Sequence, residues 1–453
     1  MTSAPRSTRG ALARRSLLRG GMGAVGGLGL ASALSGCGTA LSAGLAATEL
    51  SPGTLTFWNL FGGGDGARLK VMLDKYAADN GGPSSLQAAT FAWGNPYYTK
   101  VALATLGNKP PDVAISHLTR SRNLAQANLL TPITDEMLSS VGLKSTDFNQ
   151  KVWEQQKVDG VSYAIPLDTH PYVMFYNTDV CKKAGLLDSD GKLKPIQGTD
   201  QWEAALAAAK KVTGAYGAST ATIADPSTSW RWFQTLYAQQ GGSPWLGDGG
   251  KKLTLDDDLT VKTLAYIQKL TKSGLMPAQA DYTSSEVMMF TGKSAFYMQG
   301  EWEITTAQAQ KGLKFGMVPV PTLFDKPATQ ADSHMFVLPR MDRTPEKTKR
   351  AMGFVKSMLE QSNTWAAGGH IPAYLPYRDS AAYKHLSPQS NYAGAADYAV
   401  YDSQAWYSGS GSNFENIVGA QMGLVQQGGS SPAAALSSMK RQLTVYTNTA
   451  NPL

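Results

Sequence analysis

Thr54-Leu55-Thr56-Phe57-Trp58-Asn59-Leu60-Phe61-Gly62-Gly63-Gly64-Asp65 is the stretch on which the fold turns. Its first five residues read as a buried strand, and residues 59–64 as a glycine-rich loop. Leu69, Met72, Leu73 and Tyr76 then fall at i, i+3, i+4 and i+7, the apolar stripe of a helix capped near Asp65. Residues 86–91 give a second strand, 96–106 a second helix and 112–116 a third strand. This β-α-β-α-β order predicts a parallel sheet with helices on both faces. Ligands of such sheets sit beyond the carboxyl ends of the strands. The loops at 59–65, 93–98 and 116–120 therefore mark a cleft, with Asn59, Asp65, His117 and Arg120 as candidate contacts.

The middle of the chain repeats the logic. Residues 173–176 read as a strand, 200–212 as a helix with a capping box from Asp200 and Glu203, and 230–240 as a helix closed by Gly241-Gly242. Helices at 259–272 and 284–291 and a strand at 294–298 follow. Two α/β lobes are the expected architecture, and 453 residues suffice for two cores.

The first 36 residues hold Arg6, Arg9, Arg14, Arg15 and Arg19, no acidic residue, and an apolar Gly/Ala-rich run over 20–34. This is the pattern of a cleaved export signal rather than a membrane span. Arg14-Arg15-Ser16-Leu17-Leu18-Arg19 resembles a twin-arginine signal, and Leu34-Ser35-Gly36-Cys37 a lipobox, whose cysteine is acylated and becomes the new N-terminus. Residues 37–53 then read as the lipidated cysteine and a flexible tether. The GxGxxG at residues 21–26 lacks the preceding strand and the following acidic residue of a dinucleotide site. Without the signal, the 41 basic residues fall to 36 against 34 acidic, so no nucleic-acid footprint is expected. Cys181 is then the only free thiol, and no intramolecular disulfide is possible.

Pro166-Leu167-Asp168-Thr169-His170-Pro171-Tyr172-Val173-Met174-Phe175-Tyr176-Asn177 resembles the signature of the family 1 extracellular solute-binding proteins that serve carbohydrate importers. Lys109-Pro110-Pro111-Asp112-Val113, Asn128-Leu129-Leu130-Thr131-Pro132, Gly292–Trp302 and Gly369-His370-Ile371-Pro372 resemble further family segments in the same order. Cys181 stands where the family pattern has a large aliphatic residue. The resemblance implies a two-lobed α/β fold of the type II periplasmic-binding-protein kind, with lobe one at 54–168 plus 337–378 and lobe two at 172–333 plus 386–453. Hinge crossings are expected near 169–171 and 333–336. It also implies a monomer that binds a sugar or oligosaccharide in the interlobe cleft and delivers it to an ABC permease, with no cofactor and no catalysis.

Sugars present hydroxyls and apolar C–H faces, so their sites combine aromatic platforms with planar hydrogen-bonding groups. Trp302, after Gly300 at a turn, matches the position where relatives stack a sugar, and Glu301 stands beside it. Trp230 and Trp232 flank Arg231, and one of the two is expected to face the cleft. Trp406 precedes a Gly/Ser loop at its edge. Asp168 and His170 sit on the first crossing, while Thr119 stands where several relatives carry an aspartate. Trp58, Trp202 and Trp365 read as core.

His117, His170, His334 and His370 all fall at cleft or crossover loops, but no pair has HxH or HxxxH spacing and no CxxC exists, so no metal is expected. A glycoside hydrolase is the enzymatic alternative, with Asp168, Asp225, Glu301 and Glu303 as possible carboxylates. A binding protein for a non-sugar solute or metal is the other. Replacing Cys37 by Ser is expected to release the protein from membranes into the soluble fraction, and full membrane retention on fractionation would refute the lipobox reading.

Overall fold

In a computed structural model, which describes residues 53–452, the β-α-β-α-β order stands as read. The strands Leu55–Asn59, Leu86–Thr90 and Val113–His117 run parallel, with Leu55–Asn59 in the centre. The antiparallel strands His334–Val337 and Ala164–Pro166 complete a five-stranded sheet. The export signal, Cys37 and nearly all of the tether lie outside the described residues. Among those described, no helix is long and apolar enough to cross a membrane.

The helices Gly63–Asp79 and Pro345–Glu360 pack on this sheet, burying Met72, Phe354 and Met358 against Phe57 and Ile115. The first of them begins at Gly63 with Gly62 at its N-cap and no side-chain cap. Asp65 therefore sits in the first turn, free to engage another partner.

The second lobe is built on Asp168–Asn177, ten residues all buried. It pairs antiparallel with Phe296–Gly300 on one side and with Phe315–Pro319 and Thr329–Asp332 on the other. Trp202, Phe233, Trp245, Phe296 and Phe414 form its main core. Cys181 lies in that core, and burial pushes its thiol up to about 12, so it behaves as a small apolar residue. The expected capping box is absent. The helix starts earlier, at Gly198, where φ is +76°, and Glu203 pairs instead with Lys269 at 2.7 Å.

Three segments cross between the lobes side by side. Leu167 N–H donates to the His334 carbonyl at 2.8 Å, and Ser333 Oγ donates to the Asp168 carbonyl at 2.5 Å. Ile371 and Pro372 pair with Thr169 and Asp168. Ile371 packs with Val173 and Phe175 of the second sheet, while Tyr374 packs back on the first core.

The lobes also meet along a seam at the Ser408–Ser412 loop. Arg120 donates to the Ser410 carbonyl at 3.4 Å, Asn95 to Asn413 at 3.0 Å, and Asp332 accepts from both Thr119 and Ser410 hydroxyls at 2.5 and 2.9 Å.

The helices Pro226–Gln239 and Asn413–Gln426 approach through Gly419, where a Cβ would stand 1.9 Å from the Pro226 carbonyl oxygen. Gly419→Ala is expected to destabilise the fold by about 1–3 kcal/mol through overpacking, measurable by urea unfolding.

Candidate functional site

A cavity of about 310 Å³ lies at the crossings, between the two lobes. The first lobe lines it with Phe61, Asp65, Trp93 and His117, the crossing strands with His170 and His334, and the second lobe with Asp225, Ser227, Arg231, Tyr282 and Trp302. The strand-end and helix-start positions explain this. His117 ends a parallel strand, Asp65 opens a helix, and Asp225 is the N-cap of Pro226–Gln239, accepting from Thr228 N–H at 3.1 Å.

Asp168 is fully buried beneath the floor. Its Oδ1 accepts from His334 N–H at 2.9 Å and faces His170 Nδ1 at 3.1 Å; its Oδ2 faces His334 Nδ1 at 2.7 Å and accepts from Trp365 Nε1 at 2.6 Å. Burial pushes this carboxyl up, but the His334 charge and the hydrogen bonds from His170 and His334 outweigh it and hold the carboxyl well below the usual range. An ionised carboxylate only accepts, so both rings carry hydrogen on Nδ1 and turn Nε2 away from it. Neither Nε2 has a hydrogen-bond partner among the described residues. Burial, and then the neighbouring His334, lower His170 to about 3, so its ring is uncharged. His117 is lowered well below 6.5 for the same reasons, and its Nδ1 lies 2.7 Å from Tyr98 Oη.

His370 is the opposite case. Its Nε2 lies 3.0 Å from Asp65 Oδ1, and its Nδ1 lies 3.0 Å from Glu301 Oε1 and 3.4 Å from Asp168 Oδ2. Its ring stacks on Trp365 at 4.3 Å. Burial disfavours the charged ring, but Asp65 and Asp168 overcome it and raise its pKa well above the usual value. Burial lifts Glu301 to about 7, partly offset by His370.

Arg231 makes no hydrogen bond among the described residues. Its guanidinium is 3.8 Å from Glu415 and stands 5.1 Å from the centre of the Trp302 ring. Burial lowers its pKa, but Glu415 and Asp225 more than compensate. A charged fork of five donors is thus aimed at the cavity.

Residues 72–416 match the family model described as bacterial extracellular solute-binding protein. The chain belongs to that family. It is 26% identical over 374 residues to the arabinooligosaccharide-binding protein of Bacillus subtilis (strain 168), covering 79% of this chain and 81% of that one. It is 24% identical over 303 residues to the maltodextrin-binding protein MdxE of the same organism, covering 64% of this chain and 66% of that one. Its fold is similar to that of the GacH receptor of Streptomyces glaucescens GLA.O, with a TM-score of 0.70 and 18% identity over 86% of this chain and 98% of that one.

In this solute-binding protein the expected contacts divide. Asp65, His117, His170 and Trp302 line the cavity. Asp168 and Glu301 lie under its floor, each with no exposed surface. Asn59 does not line it: its Oδ1 accepts from Phe61 N–H and Thr90 Oγ1, both at 3.1 Å, and so shapes the turn leading to Gly62. Arg120 lies over Tyr98 at 4.3 Å and donates to Asn95 at 3.0 Å, facing a separate cavity that it shares with Trp406. Trp406 itself packs on Tyr407 and Tyr446. Neither Trp230 nor Trp232 faces the cleft. Both are core residues, Trp230 donating to Asp402 at 2.9 Å, and Arg231 between them faces the cavity instead.

Trp93, Asp225, Ser227, Arg231, Tyr282 and His334 were not among the expected contacts. Ser227 and Arg231 share a helix face at i and i+4, a spacing that marks the cavity side of this helix. Asp168, His170, His334 and His370 each bring one ligand-type atom within 4.8 Å of the others. Their contacts are those of ring N–H groups and an indole around one carboxylate, so a cation there would have to displace the Nδ1 hydrogens that Asp168 accepts.

Because the folded pKa of His170 is depressed, its contribution to stability is complete above pH 6.5 and is lost as pH falls towards 3. Between pH 6.5 and 5 the wild type should lose about 2 kcal/mol relative to His170→Gln, read as the change in their difference in unfolding free energy.

Proposed function

We propose that this solute-binding protein is the lipid-anchored receptor of an ABC importer and that it binds a sugar or short oligosaccharide in the cavity between its lobes. The observation that carries this reading is the lining. Two indoles, Trp93 and Trp302, stand among hydrogen-bonding groups contributed by both lobes and by the crossings. Indole faces suit the C–H faces of a pyranose or furanose ring, while Arg231, Asp65, Asp225 and the Nε2 atoms of His170 and His334 suit its hydroxyls. The names of the two Bacillus relatives, for arabinooligosaccharides and maltodextrins, and the acarbose complexes of the GacH receptor point the same way.

A ligand touching both sets of walls favours the closed arrangement in proportion to the contacts it makes only there. The three side-by-side crossings are where such a rotation is absorbed. The closed surface is then what the permease recognises, and Cys37 keeps the protein beside it. Of the four carboxylates considered for hydrolysis, Asp168, Asp225, Glu301 and Glu303, only Asp225 lines the cavity, where Asp65 of the first lobe is the other carboxylate.

A thermal-shift screen of mono- and oligosaccharides on the purified protein tests this, since a ligand of the folded state raises the melting temperature. A sugar response without product formation is expected. A response confined to divalent cations, or sugar cleavage, would overturn the reading. In calorimetry with the responding sugar, Trp302→Ala is expected to weaken binding by about 1–3 kcal/mol with an unchanged circular dichroism spectrum.

A further inference from the structure

The Trp302 indole is held from several directions. Its six-membered ring lies flat on the backbone of Gly300, where a Cβ would stand 2.0 Å from Cη2, 2.1 Å from Cζ3 and 2.3 Å from Cζ2. His170 meets the ring edge-on at 6.0 Å, and the Arg231 guanidinium stands over it. These contacts leave the ring free to slide in its own plane, and a hydrogen-bond relay removes that freedom. Trp302 Nε1–H donates to Tyr282 Oη at 2.9 Å, and Tyr282 in turn donates to Glu303 Oε1. Glu303 is buried and adjoins Glu286. Tyr282 and Glu286 both lie on the helix Tyr282–Phe290, whereas Trp302 and Glu303 belong to the turn after the strand Phe296–Gly300. The relay therefore ties the platform to a neighbouring helix through Tyr282 and returns to its own turn at Glu303.

We propose that Tyr282 and Glu303, backed by Glu286, are positioning residues that set the place and tilt of the Trp302 indole for the ring that stacks on it. This rests on the reading above that Trp302 touches the ligand. The groups facing the Glu286–Glu303 pair are the hydroxyls of Tyr282 and Tyr297, and Tyr282 in turn feels the charge of Arg231. Burial, and then the charge of Glu303, raise Glu286 to about 7. Below neutrality the Glu286 carboxyl donates to Glu303 and the relay is taut. As pH rises through 7, a second negative charge repels Glu303 and slackens it, so the indole shifts and ligand affinity falls.

The test is 19F NMR of the full-length protein labelled with 5-fluorotryptophan, the Trp302 resonance being assigned by its loss in Trp302→Phe. Without ligand, that resonance should move with a midpoint near pH 7; Glu286→Gln should abolish the movement, and Tyr282→Phe should displace the resonance at every pH. A resonance that ignores both pH and Tyr282→Phe overturns the proposal. Affinity is then read with maltotriose as the probe. Tyr282→Phe should bind it about tenfold more weakly, the effect of one hydrogen bond, while melting with the wild type. Trp302→Ala losing affinity while Tyr282→Phe retains it would also overturn the positioning role. Wild-type affinity in Trp302→Ala, or no maltotriose binding at all, would count against the ligand reading, and the NMR result would still decide the relay.

Discussion

The carboxylate of Asp168 ties together segments of chain that run in different directions between the lobes. Its two oxygens receive the main-chain N–H and ring Nδ1 of His334, the ring of His170 and the indole of Trp365, while its carbonyl receives Ser333. A buried carboxylate without such partners would be severely destabilising. The crossings therefore cannot drift apart without exposing an unmet charge. The same bonds decide which nitrogen of His170 and His334 faces the cavity, so the element that joins the lobes also sets the chemistry of the wall between them.

Opposite charges meet within the floor, and charge is left available on the wall. His370 sits among Asp65, Asp168 and Glu301, a cation enclosed by carboxylates and stacked on Trp365. Arg231 on the opposite wall is neutralised at a distance by Glu415 but gives its donors to no group of the described protein. The floor is thus a closed cluster of opposite charges, whereas the second lobe's wall carries unspent hydrogen-bonding capacity beside an indole. That asymmetry suits a surface that must accept hydroxyls in several orientations.

What could be read in the sequence was what local pattern encodes. The strand at Leu55–Asn59 and the stripe of Leu69, Met72 and Tyr76 are periodic, and the structure follows them. Trp302 was legible because Gly300 precedes it, and only a glycine admits the ring lying across it. The helix start at Gly198 was missed because a left-handed glycine opened the helix before the Asp200–Glu203 pair could cap it. Arg231 was overlooked between two tryptophans because aromatics draw attention as platforms, yet Trp230 and Trp232 point into the core and the arginine into the cavity. The histidine cluster had no linear signature. His117, His170, His334 and His370 come from distant segments, and only the side-by-side crossings assemble them.

The seam at Ser408–Ser412 has a consequence for where such a protein can work. Its stitches pair a guanidinium with a carbonyl, an amide with an amide, and a carboxylate with two hydroxyls. Arg120 also feels the charges of Asp332 and Glu415 in the second lobe, and Thr119, Arg120, Asp332 and Ser410 are all buried. Dissolved ions screen exposed charges strongly and buried ones much less. A seam built in this way changes little between dilute and saline surroundings, which a cell cannot regulate outside its own membrane.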